Sequence, residues 1–122
     1  MLMAKHIYIL EDDADIRFIV SYILNEIGYE VTETETLKEF HQQLKKGHPD
    51  LMLLDIMLPD GNGLDLCMEL KKDPSINHIP IIMMSAHAAR EFVQQKACAQ
   101  DFISKPFDLD SLTSMIRKYL PN

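Results

Sequence analysis

Short apolar runs alternate with amphipathic helical patterns along the whole of this chain, and that alternation restricts its fold more than any other feature. Residues 6–10, 51–54, 79–84 and 101–104 are apolar runs bounded by polar or turn residues, and residues 29–34 form a weaker fifth. Their length and their β-branched or aromatic content predict strands, and their unbroken apolarity predicts strands covered on both faces. Between them, Ile16, Ile19, Val20, Ile23, Leu24 and Ile27 recur at helical spacing on one apolar face that Gly28 ends. Thr36-Leu-Lys-Glu39 reads as a capping box, opening a helix through Leu37, Phe40 and Leu44 to Gly47. A third helix is predicted over about residues 64–72 and a short fourth near 89–97. A fifth follows the N-cap Asp108 and carries Leu109, Leu112, Met115, Ile116, Tyr119 and Leu120. Five such alternations predict an α/β domain with a parallel sheet covered by helices on both faces.

Composition narrows the function. At 122 residues, 47% hydrophobic and 25% charged, the chain has the length of one domain. It can build a core without disulfide or metal. Twelve Lys and Arg against 19 Asp and Glu give a net charge of −7, which repels nucleic-acid phosphates and anionic lipid. No apolar run approaches the ~20 residues of a membrane helix, and the N-terminus lacks a signal peptide's long apolar region. Cys67 and Cys98 make neither a C-x-x-C pair nor a disulfide framework. The expectation is a cytoplasmic protein with no direct nucleic-acid or membrane partner, and with both thiols as small core or surface residues.

In open parallel sheets, functional groups gather at the carboxyl ends of the strands. There this chain carries Glu11-Asp12-Asp13 after the first strand, Asp55 after the third, Ser85 after the fourth and Lys105-Pro106 after the fifth. Each has a plainer reading alone: acids at a helix N-terminus, a turn aspartate, an N-cap serine, a surface lysine. Together they describe converging carboxylates, which resist joint ionisation unless positive charge compensates. A hard divalent cation held by oxygen ligands supplies that charge, and Lys105 adds a movable one.

The chain resembles the receiver domain of two-component response regulators. The resemblance rests on Ile9-Leu10-Glu11-Asp12-Asp13, Leu54-Asp55-Ile-Met-Leu-Pro59 with Gly63, Ser85-Ala86 and Lys105-Pro106-Phe107, in that order, and covers essentially the whole sequence. It implies a doubly wound, flavodoxin-like five-stranded parallel sheet of order 2-1-3-4-5 with five helices. It further implies Asp55 as phosphoacceptor for a phosphoryl group from a sensor histidine kinase or histidine phosphotransfer protein. Mg²⁺, with Mn²⁺ as substitute, would bind Asp12, Asp55 and the backbone carbonyl of Met57, with Glu11 acting through a metal-bound water. Ser85, the Ala86 N–H and Lys105 would hold phosphoryl oxygens, Phe102 would follow Ser85 in the switch, and Met57 and His87 would flank the hydrolytic water's route. The Lys105–Pro106 bond is expected to be cis, Asp13 a helix cap, and Phe102 has plain core packing as its alternative reading.

The resemblance has limits. Ala97-Cys98-Ala99-Gln100 stands where the family carries a glycine, and the span from Ser85 to Lys105 is shorter than usual, so the fourth helix or its leading loop should be trimmed. Asp60-Gly-Asn-Gly63 lacks the order of a Ca²⁺ loop and reads as a flexible turn. His6, His41, His48 and His78 show no metal-ligand spacing. The expected organisation is one receiver domain over residues 1–122 without an output domain, controlling a downstream protein or a fused output domain. It would act on itself rather than turn over a substrate. The alternative is a Mg²⁺-dependent phosphatase-like hydrolase with an Asp nucleophile, which usually needs a second acid at position 57, where this chain has Met57.

Overall fold

Strands β1 (His6–Leu10), β2 (Glu30–Thr34), β3 (Leu51–Asp55), β4 (Ile81–Ala86) and β5 (Asp101–Lys105) form one sheet in the order β2-β1-β3-β4-β5. Every pairing in it is parallel. The computed structural model describes residues 4–86 and 98–121, Ala86 by its backbone alone. Helices α1 (Ala14–Glu26), α2 (Leu37–Lys46), α3 (Gly63–Lys71) and α4 (Leu109–Tyr119) flank the sheet. The expected helix near 89–97 lies outside the described residues, as does His87.

Alternate residues of β1, β3 and β4 serve two separate cores, which is why these runs are apolar without interruption. Ile7, Ile9, Leu51, Leu53, Ile82 and Met84 face Val20 and Leu24 of α1 and Leu112 and Ile116 of α4. Tyr8, Leu10, Met52, Leu54, Ile81 and Met83 face Phe40 of α2 and Leu64, Cys67 and Leu70 of α3. Each such aliphatic or aromatic side chain contributes roughly 1.5–3 kcal/mol by leaving water, so the sheet's interior can support polar groups at its edge. The weak signal of β2 reflects its place at the sheet edge, with only Thr34 buried.

The caps act locally. Asp13 accepts from the amides of Asp15 and Ile16 at 2.9 and 3.1 Å and starts α1. Thr36 Oγ1 accepts from Glu39 N at 3.1 Å, while Glu39 Oε1 accepts from Glu35 N at 3.0 Å, one residue earlier than a capping box requires. Asp108 accepts from Ser111 N at 2.7 Å and opens α4.

Two readings need correction. Ile19, assigned to the covered face of α1, is 41% exposed, and Phe18 and Tyr22 are 68% and 50% exposed. Ser21 is buried instead, because the sheet covers a narrower stripe than the apolar spacing marks out. The turn after Pro59 is ordered rather than loose: residues 59–60 form a turn between Met57–Leu58 and Gly61–Asn62, which pair antiparallel. Asp60 accepts from the amides of Leu37 and Lys38 at 2.9 and 3.2 Å, bonds that also hold its carboxyl below the usual carboxylate range. That acid caps α2 from outside the helix.

Candidate functional site

The parallel register of β1 on β3 sets Leu10 beside Leu54, so the residues just beyond, Glu11 and Asp55, emerge together. One carboxylate oxygen from each of Glu11, Asp12 and Asp55 lies within 4.8 Å of the others. Glu11 and Asp55 are buried, at 0% and 5% exposure, while Asp12 is open to solvent. Several contacts fix Glu11. Its N–H donates to Thr34 O at 3.0 Å, and its carbonyl accepts from Arg17 Nη1 at 2.7 Å. Arg17 is itself held between Glu33 and Glu35 at 3.6 and 3.5 Å.

Lys105 reaches in from β5, its Nζ donating to Glu11 Oε1 at 2.5 Å and to Asp55 Oδ2 at 2.9 Å. The Lys105–Pro106 peptide is cis. One ammonium thus faces three carboxylates, an unbalanced cluster in a poorly hydrated place. Burial first, then the neighbouring Asp55, pushes the Glu11 carboxyl up to about 8 against the opposing pull of Lys105. Burial also works against the Lys105 charge, but its hydrogen bonds to Glu11 and Asp55 outweigh this and hold the ammonium above its ordinary value.

Two buried oxygens here, Glu11 Oε2 and Ser85 Oγ, have no hydrogen-bond partner among the described residues. Buried polar atoms are rarely left so, and leaving one costs about 1–3 kcal/mol. Ser85 follows Met84, the register partner of Asp55, and Ser85 and Ala86 lie opposite Ser104 and Lys105 on β5. Oxygen donors of this kind suit a hard divalent cation rather than a thiophilic one, and the unpartnered Glu11 oxygen fits a further ligand.

Not every expected residue enters the cluster. Met57 begins the small hairpin with its side chain 70% exposed. Phe102 is half-buried and packs against the core layer beneath α2 and α3. His87 lies outside the described residues. Two supports escaped the sequence reading. Arg17 is indistinguishable in sequence from a surface arginine. Gly63, quoted only as part of a motif, packs so tightly that a Cβ would stand 1.9 Å from the Asp55 carbonyl oxygen, while its N–H donates to Ile56 O at 2.7 Å. The hydrolase alternative gains no support, since no acid stands two residues after Asp55.

Comparison with known proteins agrees with this geometry. The family described as "Response regulator receiver domain" matches residues 7–117. The Escherichia coli (strain K12) phosphate regulon transcriptional regulatory protein PhoB is 35% identical over 117 residues, 94% of this chain and 51% of that protein. The chain therefore spans about half the length of the first curated relatives it matches. The polar-differentiation response regulator DivK of Brucella ovis is 33% identical over 121 residues, 97% of this chain and 98% of that one. The crystal structure of response regulator TrrA from Thermotoga maritima, in complex with Mg²⁺ and BeF, superposes with a TM-score of 0.85 at 28% identity, covering 95% of this chain and 99% of that one. With its parallel sheet, its acidic strand ends and these matches, the chain belongs to the response regulator receiver domain family.

Proposed function

We propose that this receiver takes a phosphoryl group onto Asp55 from a phosphohistidine of a sensor histidine kinase or phosphotransfer protein. The phosphorylated domain then controls a downstream partner or a fused output domain in the cytoplasm. The observation that carries the reading is the cluster itself: a buried Asp55 carboxylate beside Glu11 and Asp12, touched by Lys105 and neighboured by a Ser85 hydroxyl that has no partner among the described residues.

An Asp55 oxygen forms the new bond to phosphorus, the donor's N–P bond breaks, and its electron pair returns to the imidazole. A carboxylate is a competent nucleophile here, and what remains is to position the groups and neutralise charge on the moving oxygens. Lys105 leaves its contact with Asp55 to pair with one phosphoryl oxygen, Ser85 Oγ donates to another, and the Ala86 backbone N–H offers a further donor. Phe102 follows Ser85 because both strands carry the site's edge. Asp12, Asp55 and the Met57 carbonyl would hold Mg²⁺, with Glu11 acting through water, and the bound ion would offset the converging negative charge. Mn²⁺ suits the same oxygen set. A groove lined by Ile16, Ile19, Lys105, Pro106, Phe107 and Leu109 adjoins the site through Lys105, a surface suited to the phosphodonor protein.

The test is intact mass after incubation with a small phosphodonor and Mg²⁺. One added phosphoryl group is expected, lost on chelation and absent from Asp55→Asn; stoichiometric labelling of that variant would refute the assignment.

A further inference from the structure

The sequence reading treats Cys67 and Cys98 as unrelated small residues, yet the fold brings them together across the face of the sheet away from α1. Cys67, on α3, is fully buried in the layer formed with α2, and half-buried Cys98 packs against the same layer just before β5. Their sulfurs are close enough to perturb one another.

The stretch just after Cys98 is anchored to the start of β4 and to α3. Gln100 N donates to Ile81 O at 2.9 Å and Gln100 Oε1 accepts from Ile81 N at 2.7 Å, a reciprocal pair that staples this stretch to the start of β4. The same Oε1 accepts from Lys71 Nζ at 3.2 Å. Lys71 also donates to the carbonyls of Asn77 and Ile79, each at 3.2 Å. Lys71 stands one helical turn after Cys67, and its charge acts on both thiols.

We infer that Cys67 and Cys98 are an oxidisable dithiol, which a small hydroperoxide converts to an intramolecular disulfide tying α3 to the entry of β5. Cys98 is the attacking group, because it reaches solvent and Cys67 does not. Its sulfur forms an S–O bond to the peroxide as the O–O bond breaks; the departing hydroxide leaves as water with the thiol's proton, giving a sulfenic acid on Cys98. The Cys67 sulfur then attacks the Cys98 sulfur. The S–S bond forms, the S–O bond breaks, and the hydroxide leaves as a second water with the Cys67 proton. Two thiols thus supply the two electrons that reduce one peroxide. Burial pushes the Cys67 thiol up, so the second step is the slower and the sulfenic acid precedes the disulfide. Such bonds in a reducing compartment are transient and sensing rather than structural.

The experiment treats the fully reduced protein with hydrogen peroxide, quenches with iodoacetamide and maps the products by mass spectrometry. Expected are loss of two hydrogens without a change in oligomeric state, one linked peptide pair containing Cys67 and Cys98, a raised thermal midpoint, and reversal by dithiothreitol. Dimedone present at early times should tag Cys98 alone. Cys98→Ser should abolish both tag and disulfide, and Cys67→Ala should keep the tag while losing the disulfide. Two thiols still fully alkylatable after treatment, a disulfide formed only between two chains, or a first tag on Cys67 would each overturn the inference. If Cys67→Ala does not fold, the order of tagging in the unaltered protein decides.

Discussion

Gly63→Ala tests whether the end of β3 is held in place by close backbone packing. An added Cβ would stand 1.9 Å from the Asp55 carbonyl oxygen, 2.9 Å from its carbon and 3.2 Å from Ile56 Cα. All three are main-chain atoms, so no rotamer change relieves the clash, and the start of α3 must move about 1 Å from β3 to bring the first contact near 3.0 Å. Overpacking of this kind costs about 1–3 kcal/mol. The strained Gly63 N–H to Ile56 O bond adds about 1 kcal/mol, and removing a glycine from the unfolded chain returns roughly 0.4–1 kcal/mol. The net loss is about 1–3 kcal/mol, a large share of the 5–15 kcal/mol typical of a domain. It reads directly as a lower urea midpoint at unchanged slope. Because the displaced carbonyl belongs to the proposed phosphoacceptor, labelling by a small phosphodonor should slow as well, on the order of 10²-fold for a misplacement near 1 Å. Gly47→Ala is the control, since its Cβ would meet nothing nearer than Tyr8 Oη at 4.0 Å. A Gly63→Ala protein with the midpoint and labelling rate of the unaltered chain would refute the packing argument.

Three further outcomes follow from the site. Ser85→Ala removes a buried hydroxyl that has no partner among the described residues, so the urea midpoint should hold or rise, by up to about 1 kcal/mol, while NMR shifts at Phe102 on adding Mg²⁺ and beryllofluoride shrink; a clear fall in stability would contradict it. Glu11 titrates near 8 in the folded protein against an ordinary 4.5, so the folded state keeps a proton that the unfolded chain releases. Its contribution is complete below about pH 4.5 and is lost as pH rises through 8. The urea midpoint of chelator-treated protein should therefore decline from pH 5 to 8 on this account, Mg²⁺ affinity should rise over the same range, and Glu11→Gln should flatten both trends. Met57→Asn replaces an apolar side chain two residues after Asp55, on the expected route of the hydrolytic water, with one able to orient that water, and should speed loss of the phosphoryl group several-fold after donor removal, followed by mass; equal or slower decay would contradict that placement.

The central strands were legible because each serves two cores: Ile7 and Ile9 on one face of β1, Tyr8 and Leu10 on the other, leave no polar interruption. The strand ends were legible because an acid directly after such a run is a change in chemistry that spacing alone reveals. What spacing could not reveal is contact between residues far apart in the chain. Asp60 capping α2, Arg17 holding the Glu11 carbonyl and Cys98 set against Cys67 each depend on how elements pack. Ile19 shows the converse, an apolar residue at the right period that the sheet does not reach. The cluster carries a further lesson about selection. Packing alone would favour apolar residues of similar volume over a buried Glu11 beside Asp55, and it gives no reason for Glu11 Oε2 and Ser85 Oγ to lack partners among the described residues. The two cores supply stability, and part of it is spent at one edge of the sheet on groups whose arrangement makes sense only toward a charged ligand.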